Sequence, residues 1–231
     1  MTDVVRTALR GLGQTLMTLG VVVLLFCVYE LYVTGLVTAR EQIRLGDDLR
    51  QTWAEPVARP QGSPQPGQPK TVPVSLDLGQ GFAILHIPSL KDYDPWVVVE
   101  GTSVAALKNG PGHIPGTALP GDLGNVVVSG HRTTYGAPFQ RLDELISGSL
   151  IVLETRDGWF TYTVRDKSIV APTAVEVTLP VPGKPTATPV DRLLTLTTCH
   201  PQYSARQRLI VLAELTAASK KSDGLPDALK G

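Results

Sequence analysis

The feature that most limits how this chain can fold is an apolar run close to its N-terminus. Between Arg10 and Arg40 lie 29 residues that carry a single charge, Glu30. A helix needs about 20 apolar residues, at a rise of about 1.5 Å each, to cross a bilayer. The stretch LMTLGVVVLLFCVYELYVTGLV provides them, and its two tyrosines suit a membrane interface. We therefore expect a transmembrane anchor over residues 12–37.

Two other interpretations of this run stay open. The tripeptide VTA before Arg40 resembles a signal-peptide cleavage site, although the run is longer than the roughly 7–15 apolar residues of such peptides. A buried core helix is the other alternative, which the proline-rich segment downstream disfavours. Arg6 and Arg10 precede the run, so the positive-inside bias predicts that residues 1–11 are cytoplasmic and the remainder is external.

The segment that follows the anchor has the composition of a spacer. Ala39–Trp53 is charged and can extend the helix, and six prolines then occur between Pro56 and Pro73. Such a composition favours extended polyproline conformation, at about 3.1 Å per residue, over a packed core. We predict that residues 38–76 form an extracellular stalk that holds a domain off the membrane.

From Leu78 the chain changes to short apolar runs separated by Gly and Pro. This texture predicts an all-β domain over residues 77–217, a sandwich or barrel. Two short helices are expected, Ser103–Leu107 and Pro138–Ile146, and residues 218–231 are expected to be a disordered tail. The candidate strands are Phe82–Ile87, Trp96–Gly101, Asn125–Gly130, Ser149–Thr155, Trp159–Val170, Leu193–Thr198 and Arg208–Leu215.

The last two strands bring a cysteine and an arginine together. Only two cysteines are present, and Cys27 lies in the apolar run, so Cys199 is expected to be a free thiol. An antiparallel hairpin that pairs Cys199 with Arg208 places both side chains on one face. In this register Thr197 opposes Ile210, and Thr195 opposes Leu212.

A thiol becomes a good nucleophile when it ionises, which a nearby arginine or histidine favours. His131, at the end of the strand NVVVSG, is the best candidate partner, whereas His86 lies mid-strand and His113 lies in a Gly/Pro-rich turn. Two alternatives remain. One is that Cys199 is a small buried hydrophobe, and the other is that it is a zinc ligand with His200 and His131, although no zinc-ligand spacing is present.

Composition narrows the range of partners. The chain has 21 basic and 21 acidic side chains, a balance that gives no electrostatic footprint for nucleic acid. No acidic cluster indicates a calcium site, and we expect neither a metal nor a cofactor.

The motifs around these residues resemble a known family. TLTTCHP, with RLIV nine residues beyond the cysteine, resembles the signature of sortases, the membrane-anchored cysteine transpeptidases of Gram-positive bacteria. The stretches VVSGHRTTYGAPFQRLDEL, PGHIPGTALPGDLGN and YELYVTG resemble the class E branch. The resemblance implies an eight-stranded β-barrel with a site at one end of a groove. It also implies a catalytic triad of His131, Cys199 and Arg208.

The resemblance further implies a reaction. Cys199 would attack the Thr–Gly carbonyl of a Leu-x-x-Thr-Gly-type sorting signal on a surface protein and form a thioacyl enzyme. His131 would act as general acid and base, and Arg208 would bind the oxyanion. Class E enzymes are associated with Ala at the second position of the signal. The substrate-binding candidates are Tyr135, Thr133 and Thr198, the last beside an oxyanion-binding backbone N–H.

The acceptor implied by the resemblance is an amine of a peptidoglycan precursor, and the implied location is the cell membrane, with a single span and an extracellular catalytic domain. Two alternatives to this function stay open. One is a cysteine peptidase of the same fold that only hydrolyses, and the other is a non-catalytic surface binding module.

Overall fold

The computed structural model describes residues 2–55 and 76–230. Helix α1 (Thr2–Val28) continues through a π-helical turn (Tyr29–Val33) into helix α2 (Thr34–Ala54). The stretch Asp3–Val28 contains an 18-residue window with a mean hydropathy of 2.0 and is long and apolar enough to cross a membrane. It begins and ends earlier than the predicted 12–37. The six prolines of the predicted stalk lie outside the described residues.

Eight strands form a closed barrel, which confirms the predicted all-β class and the strand number. Around the barrel the order is β1-β2-β3-β4-β7-β8-β6-β5, with β5 pairing back onto β1. The pairs β2/β3 and β4/β7 are parallel and the others are antiparallel. The strands are β1 (Gly81–His86), β2 (Trp96–Glu100), β3 (Gly112–His113), β4 (Gly124–Ser129), β5 (Leu150–Glu154), β6 (Gly158–Val170), β7 (Arg192–His200) and β8 (Gln207–Lys220).

Alternation along the strands decides which side chains fill the barrel. Leu194 and Leu196 of β7 and Val126 and Val128 of β4 point inward and are almost inaccessible to solvent. Residues between them point to the outer face, as the two-residue repeat of a strand requires. Strands that carry large apolar side chains on alternate positions therefore close around a single core.

Strand β3 was not predicted, because its two residues lie in the Gly/Pro-rich stretch around His113. A Cβ on Gly112 would lie 2.2 Å from the carbonyl oxygen of Gly101, so only glycine permits β3 to approach β2 this closely. Strand β8 continues beyond the predicted end at Leu215, because it pairs with the start of β6. Residues 218–220 of the predicted tail thus belong to β8, and 3₁₀ turns follow at Lys221–Asp223 and Asp227–Leu229.

The predicted helix over Pro138–Ile146 is wrong, since this segment contains only a 3₁₀ turn, Leu142–Glu144. Its carbonyl groups accept hydrogen bonds from side chains instead of from the helix: Lys167 donates to two of them and Arg132 to a third. By contrast, the other predicted helix is present as α3 (Val104–Asn109), capped by the Ser103 hydroxyl.

Helix α2 packs on the barrel instead of standing clear of it. Leu45 and Leu49, one turn apart on the helix, are buried against β1, β2 and α3. Residues 38–54 of the predicted stalk are therefore part of the folded domain. The residues of β1, β2 and α3 that they contact are Ile84, Val97, Val99 and Ala106.

Candidate active site

Two strand pairings bring the predicted site residues to one end of the barrel. In the antiparallel β7/β8 pair, Cys199 lies opposite Arg208, which confirms the register predicted from the sequence. In the parallel β4/β7 pair, Ser129 lies beside Thr197, and the next amide, Gly130 N, donates to Thr197 O at 3.1 Å. His131 follows the end of β4 by two residues and so lies at the same end of the barrel as Cys199.

The side chains of Cys199 and Thr198 lie on opposite faces of β7. Thr198 is 2% exposed, and its hydroxyl donates to Gly130 O at 2.7 Å, so it points into the barrel and ties the ends of β4 and β7 together. Cys199 therefore points to the outer face, where it is a half-buried free thiol. The predicted contact of Thr198 with substrate cannot be made by its side chain.

His131 is half-buried and packs on an aromatic ring. Its imidazole lies 4.9 Å from the ring of Tyr135, centroid to centroid, with the planes tilted by 43°. Burial lowers the pKa of His131 below its ordinary value of 6.5. No carboxylate pairs with it in residues 2–55 or 76–230. The imidazole is thus mainly neutral at pH 7 and able to accept a proton.

The loop that follows His131 has an unusual backbone. Tyr135 and Ala137 have positive φ angles of 52° and 49°, and Gly136 lies between them with φ 74°. A left-handed conformation costs a non-glycine residue roughly 1–2 kcal/mol, so it persists only where surrounding contacts hold it. Trp96 packs so closely on Gly136 that a Cβ there would lie 2.7 Å from its ring. Thr133 is half-buried in the same loop.

Arg208 is held by its own hairpin loop. Its Nη1 donates to Ala205 O at 2.9 Å and to Gln207 O at 3.0 Å. A guanidinium carries five N–H donors, and the others have no protein acceptor in the part of the chain that the structure describes. These donors are available to an acceptor that enters from the outer face, beside Cys199.

Sequence reasoning missed a second arginine, Arg132, which contacts the backbone of Cys199. Its side chain is 4% exposed and ion-paired with Asp143 at 2.8 Å. It also donates to His200 Nδ1 at 2.9 Å and approaches the carbonyl oxygen of Cys199 at 3.4 Å. Because a guanidinium only donates, His200 Nδ1 accepts in this bond. Its position within GHRTTYG was the only signal in the sequence.

Comparison with known proteins agrees with this geometry. A family described as "Sortase domain" matches residues 85–216, more than half of the chain. The chain belongs to the sortase family. It is 35% identical over 230 residues to Sortase SrtE1 of Streptomyces coelicolor, covering 96% of this chain and 61% of that protein. It therefore spans less than two thirds of the length of that relative. To Sortase SrtE2 of the same organism it is 33% identical, covering 92% of this chain and 84% of the relative.

A solved structure extends the likeness to the fold. The crystal structure of sortase E1 from Streptomyces coelicolor, with a tripeptide in its active site, matches with a TM-score of 0.61 and 38% identity. The match covers 65% of this chain and 97% of that one. The predicted resemblance to sortases, and to their class E members, is thereby confirmed.

His113 and His86, the other two histidines weighed as partners of Cys199, are both paired with carboxylates in this sortase. His113 Nδ1 lies 2.6 Å from Glu100 Oε2, and both side chains are buried. His86 Nε2 lies 2.9 Å from Glu154 Oε2, beside helix α2. Across residues 2–55 and 76–230, no group of three His, Cys, Asp or Glu side chains is placed to hold a metal ion.

Proposed function

We propose that this sortase is a membrane-anchored cysteine transpeptidase with His131, Cys199 and Arg208 as its catalytic residues. The observation that supports the proposal is the strand register, which sets Cys199 opposite Arg208 and pairs Ser129, two residues before His131, with Thr197 at the same barrel end. A nucleophile, a proton carrier and a fixed cation are the three groups that acyl transfer through a thioester requires.

The neutral imidazole of His131 takes the proton of the Cys199 thiol as general base. The thiolate attacks the carbonyl carbon of the scissile peptide bond, and the carbonyl oxygen becomes an oxyanion. When the tetrahedral intermediate collapses, the C–N bond breaks and His131 returns its proton to the departing amine. A second amine then loses a proton to His131 and attacks the thioester, the C–S bond breaks, and His131 returns the proton to the departing thiolate, which restores the enzyme.

Arg208 stabilises the oxyanion. Its free N–H groups lie on the same face of the sheet as the thiol, and a planar, permanently charged fork suits a developing negative oxygen. Its two bonds to loop carbonyls fix the guanidinium before substrate arrives, so little reorganisation is needed in the transition state. A backbone N–H near Cys199 supplies a further donor.

The substrate is a sorting signal of the Leu-x-x-Thr-Gly type, cleaved between Thr and Gly, on surface proteins. The tripeptide in the active site of sortase E1 supports a peptide substrate for this fold. We propose Tyr135 and Thr133 as contacts for the residues before the scissile bond, which their position in the loop next to His131 supports.

The anchor is helix α1, with the catalytic domain outside the cell and a peptidoglycan precursor as the amine acceptor. The helix is long, apolar and exposed along its length, which argues against a buried core helix. Cleavage before Arg40 would cut through α2 and remove Thr38, which is buried against the domain. A retained anchor is therefore favoured over a cleaved signal peptide.

Mass spectrometry of the purified protein with a Leu-Ala-x-Thr-Gly peptide, with and without an amine acceptor, tests the proposal. We expect a thioacyl adduct on Cys199 and a ligated product when the amine is present. Hydrolysed peptide alone, at every amine concentration, would identify a cysteine peptidase. The absence of any adduct across a panel of such peptides would favour a binding module, and Cys199→Ala is the matched blank.

A further inference from the structure

We propose that helix α2 is a positioning element of the active site, through which Thr38 and Gln42 hold the loop of residues 131–137. This inference rests on the proposed function, since it concerns how the anchor and the catalytic end of the barrel are joined. It assigns to the start of the predicted stalk a role that the sequence did not indicate.

The side chain of Gln42 takes the place of a missing strand partner. Its Oε1 accepts from Val97 N at 2.7 Å, and its Nε2 donates to Val97 O at 3.1 Å. Strand β3 pairs only with Val99 and Glu100, so this edge of β2 would otherwise be open. A carboxamide has the donor and acceptor of a peptide group, and both are satisfied here. The amide fits because Gly110 has no side chain, since a Cβ there would lie 2.3 Å from Nε2.

Gln42 and Thr38, one helical turn apart, also hold the end of α3. Gln42 Nε2 donates to Asn109 O at 2.7 Å, and the buried Thr38 hydroxyl donates to Lys108 O at 2.8 Å. The last carbonyl groups of a helix have no partner within it. Two polar side chains of α2 therefore fix the C-terminal turn of α3.

These contacts lead directly to the loop beside the nucleophile. The ammonium of Lys108 lies 5.7 Å from the centre of the Tyr135 ring, which in turn packs on His131.

Helix α2 also contacts the loop directly. A Cβ on Gly35 would lie 3.7 Å from Gly136 N, so α2 and the loop are in close contact. Trp96, adjacent to the residue that Gln42 holds, packs on Gly136 from elsewhere in the domain. The strained loop is thus supported at Tyr135 and Gly136 by elements that α2 fixes.

The C-terminal end of α2 is also fixed to the barrel. Arg156 donates to Glu55 O, and Lys221 lies 4.9 Å from the Trp53 ring. Helix α2 therefore contacts the domain near both of its ends and joins α1 to the loop beside the site.

The test compares two identical substitutions on one helix in the full-length protein held in lipid nanodiscs. Gln42→Leu removes the bonds to Val97 and Asn109, whereas Gln51→Leu alters an exposed glutamine of α2. We measure amide exchange at Ala137 and Phe139, whose N–H groups close the loop, together with kcat and KM for peptide ligation.

For Gln42→Leu we expect loop exchange to rise by about tenfold and kcat/KM to fall by about tenfold, mainly through kcat, because the proton carrier is displaced. Gln51→Leu should leave both values within about twofold of the parent. Thr38→Val removes one bond and should change both in the same direction by less, and it serves if Gln42→Leu does not fold.

The inference fails if Gln42→Leu, or Thr38→Val in its place, leaves loop exchange at the level of Gln51→Leu. It also fails if kcat falls while the loop amides stay protected, since the loss would then not pass through the loop. Failure of the proposed function gives a different result, because exchange responds to Gln42 whether or not the protein ligates peptides.

Discussion

His113 and His131 lie in the same barrel and belong to opposite kinds of environment. His113 is 2% exposed and bonded at both ring nitrogens, to Glu100 on one side and to Ala118 O and Thr117 on the other. His131 is half-buried and meets a tyrosine ring in place of a carboxylate. Both ring nitrogens of His113 are therefore occupied by buried protein partners, which leaves none to face a substrate. The imidazole that is left free at a strand end can do so.

Removing the imidazole of His131 gives the largest expected effect. General acid–base catalysis contributes about 10²–10⁴-fold, so His131→Gln should lower kcat/KM for ligation by about 10³-fold. Its melting temperature should stay within a few degrees of the parent, because the side chain is only half-buried. Steady-state ligation and thermal unfolding measure the two quantities. Near-normal ligation by this variant would remove His131 from the mechanism.

Glu100→Ala tests the other half of the comparison. Removing one partner of a buried hydrogen-bonded pair leaves the other unsatisfied, at a cost of about 1–3 kcal/mol in the free energy of unfolding. Activity of the folded protein should change little, because Glu100 lies on β2, away from Cys199. Chemical denaturation, with ligation measured below the unfolding transition, separates the two effects. A large loss of kcat without a loss of stability would contradict this division.

Arg132→Lys tests whether the buried arginine that contacts the backbone of Cys199 is more than packing. Lysine keeps the charge but cannot bond Asp143 and His200 while approaching Cys199 O, so the end of β7 should shift. We expect kcat to fall by about tenfold to a hundredfold with a smaller change in KM. Arg141→Lys is a matched control, since that arginine is partly exposed and paired with Glu144. An equal effect in both variants would mean that Arg132 has no special relation to the site.

The sequence allowed part of this site to be predicted. The apolar residues alternate along the two strands that lead to His131 and Cys199, and a short hairpin loop joins Cys199 to Arg208. These positions could be predicted because a two-residue repeat and a short loop are local signals. The buried position of Arg132 was not predicted. An arginine is expected to be exposed unless its partners are known, and Asp143 and His200 are not its neighbours in the sequence. The contact of Gln42 with β2 was not predicted for the same reason. A glutamine on a charged helix is expected to face solvent, and its partner, the open edge of β2, is known only from the fold.

The smallest expected effect concerns the cause of the lowered pKa of His131. Burial lowers it, and the Tyr135 ring provides part of that burial, so Tyr135→Ala should admit water and raise the pKa toward 6.5. A higher pKa leaves less neutral imidazole at pH 6, so ligation by the variant should fall more at pH 6 than at pH 8. An NMR titration of the His131 ring measures the shift directly, and His113 in the same spectra is an internal reference that should not move. Should the pKa of His131 stay in place, the protein around the ring, rather than Tyr135, keeps the imidazole neutral.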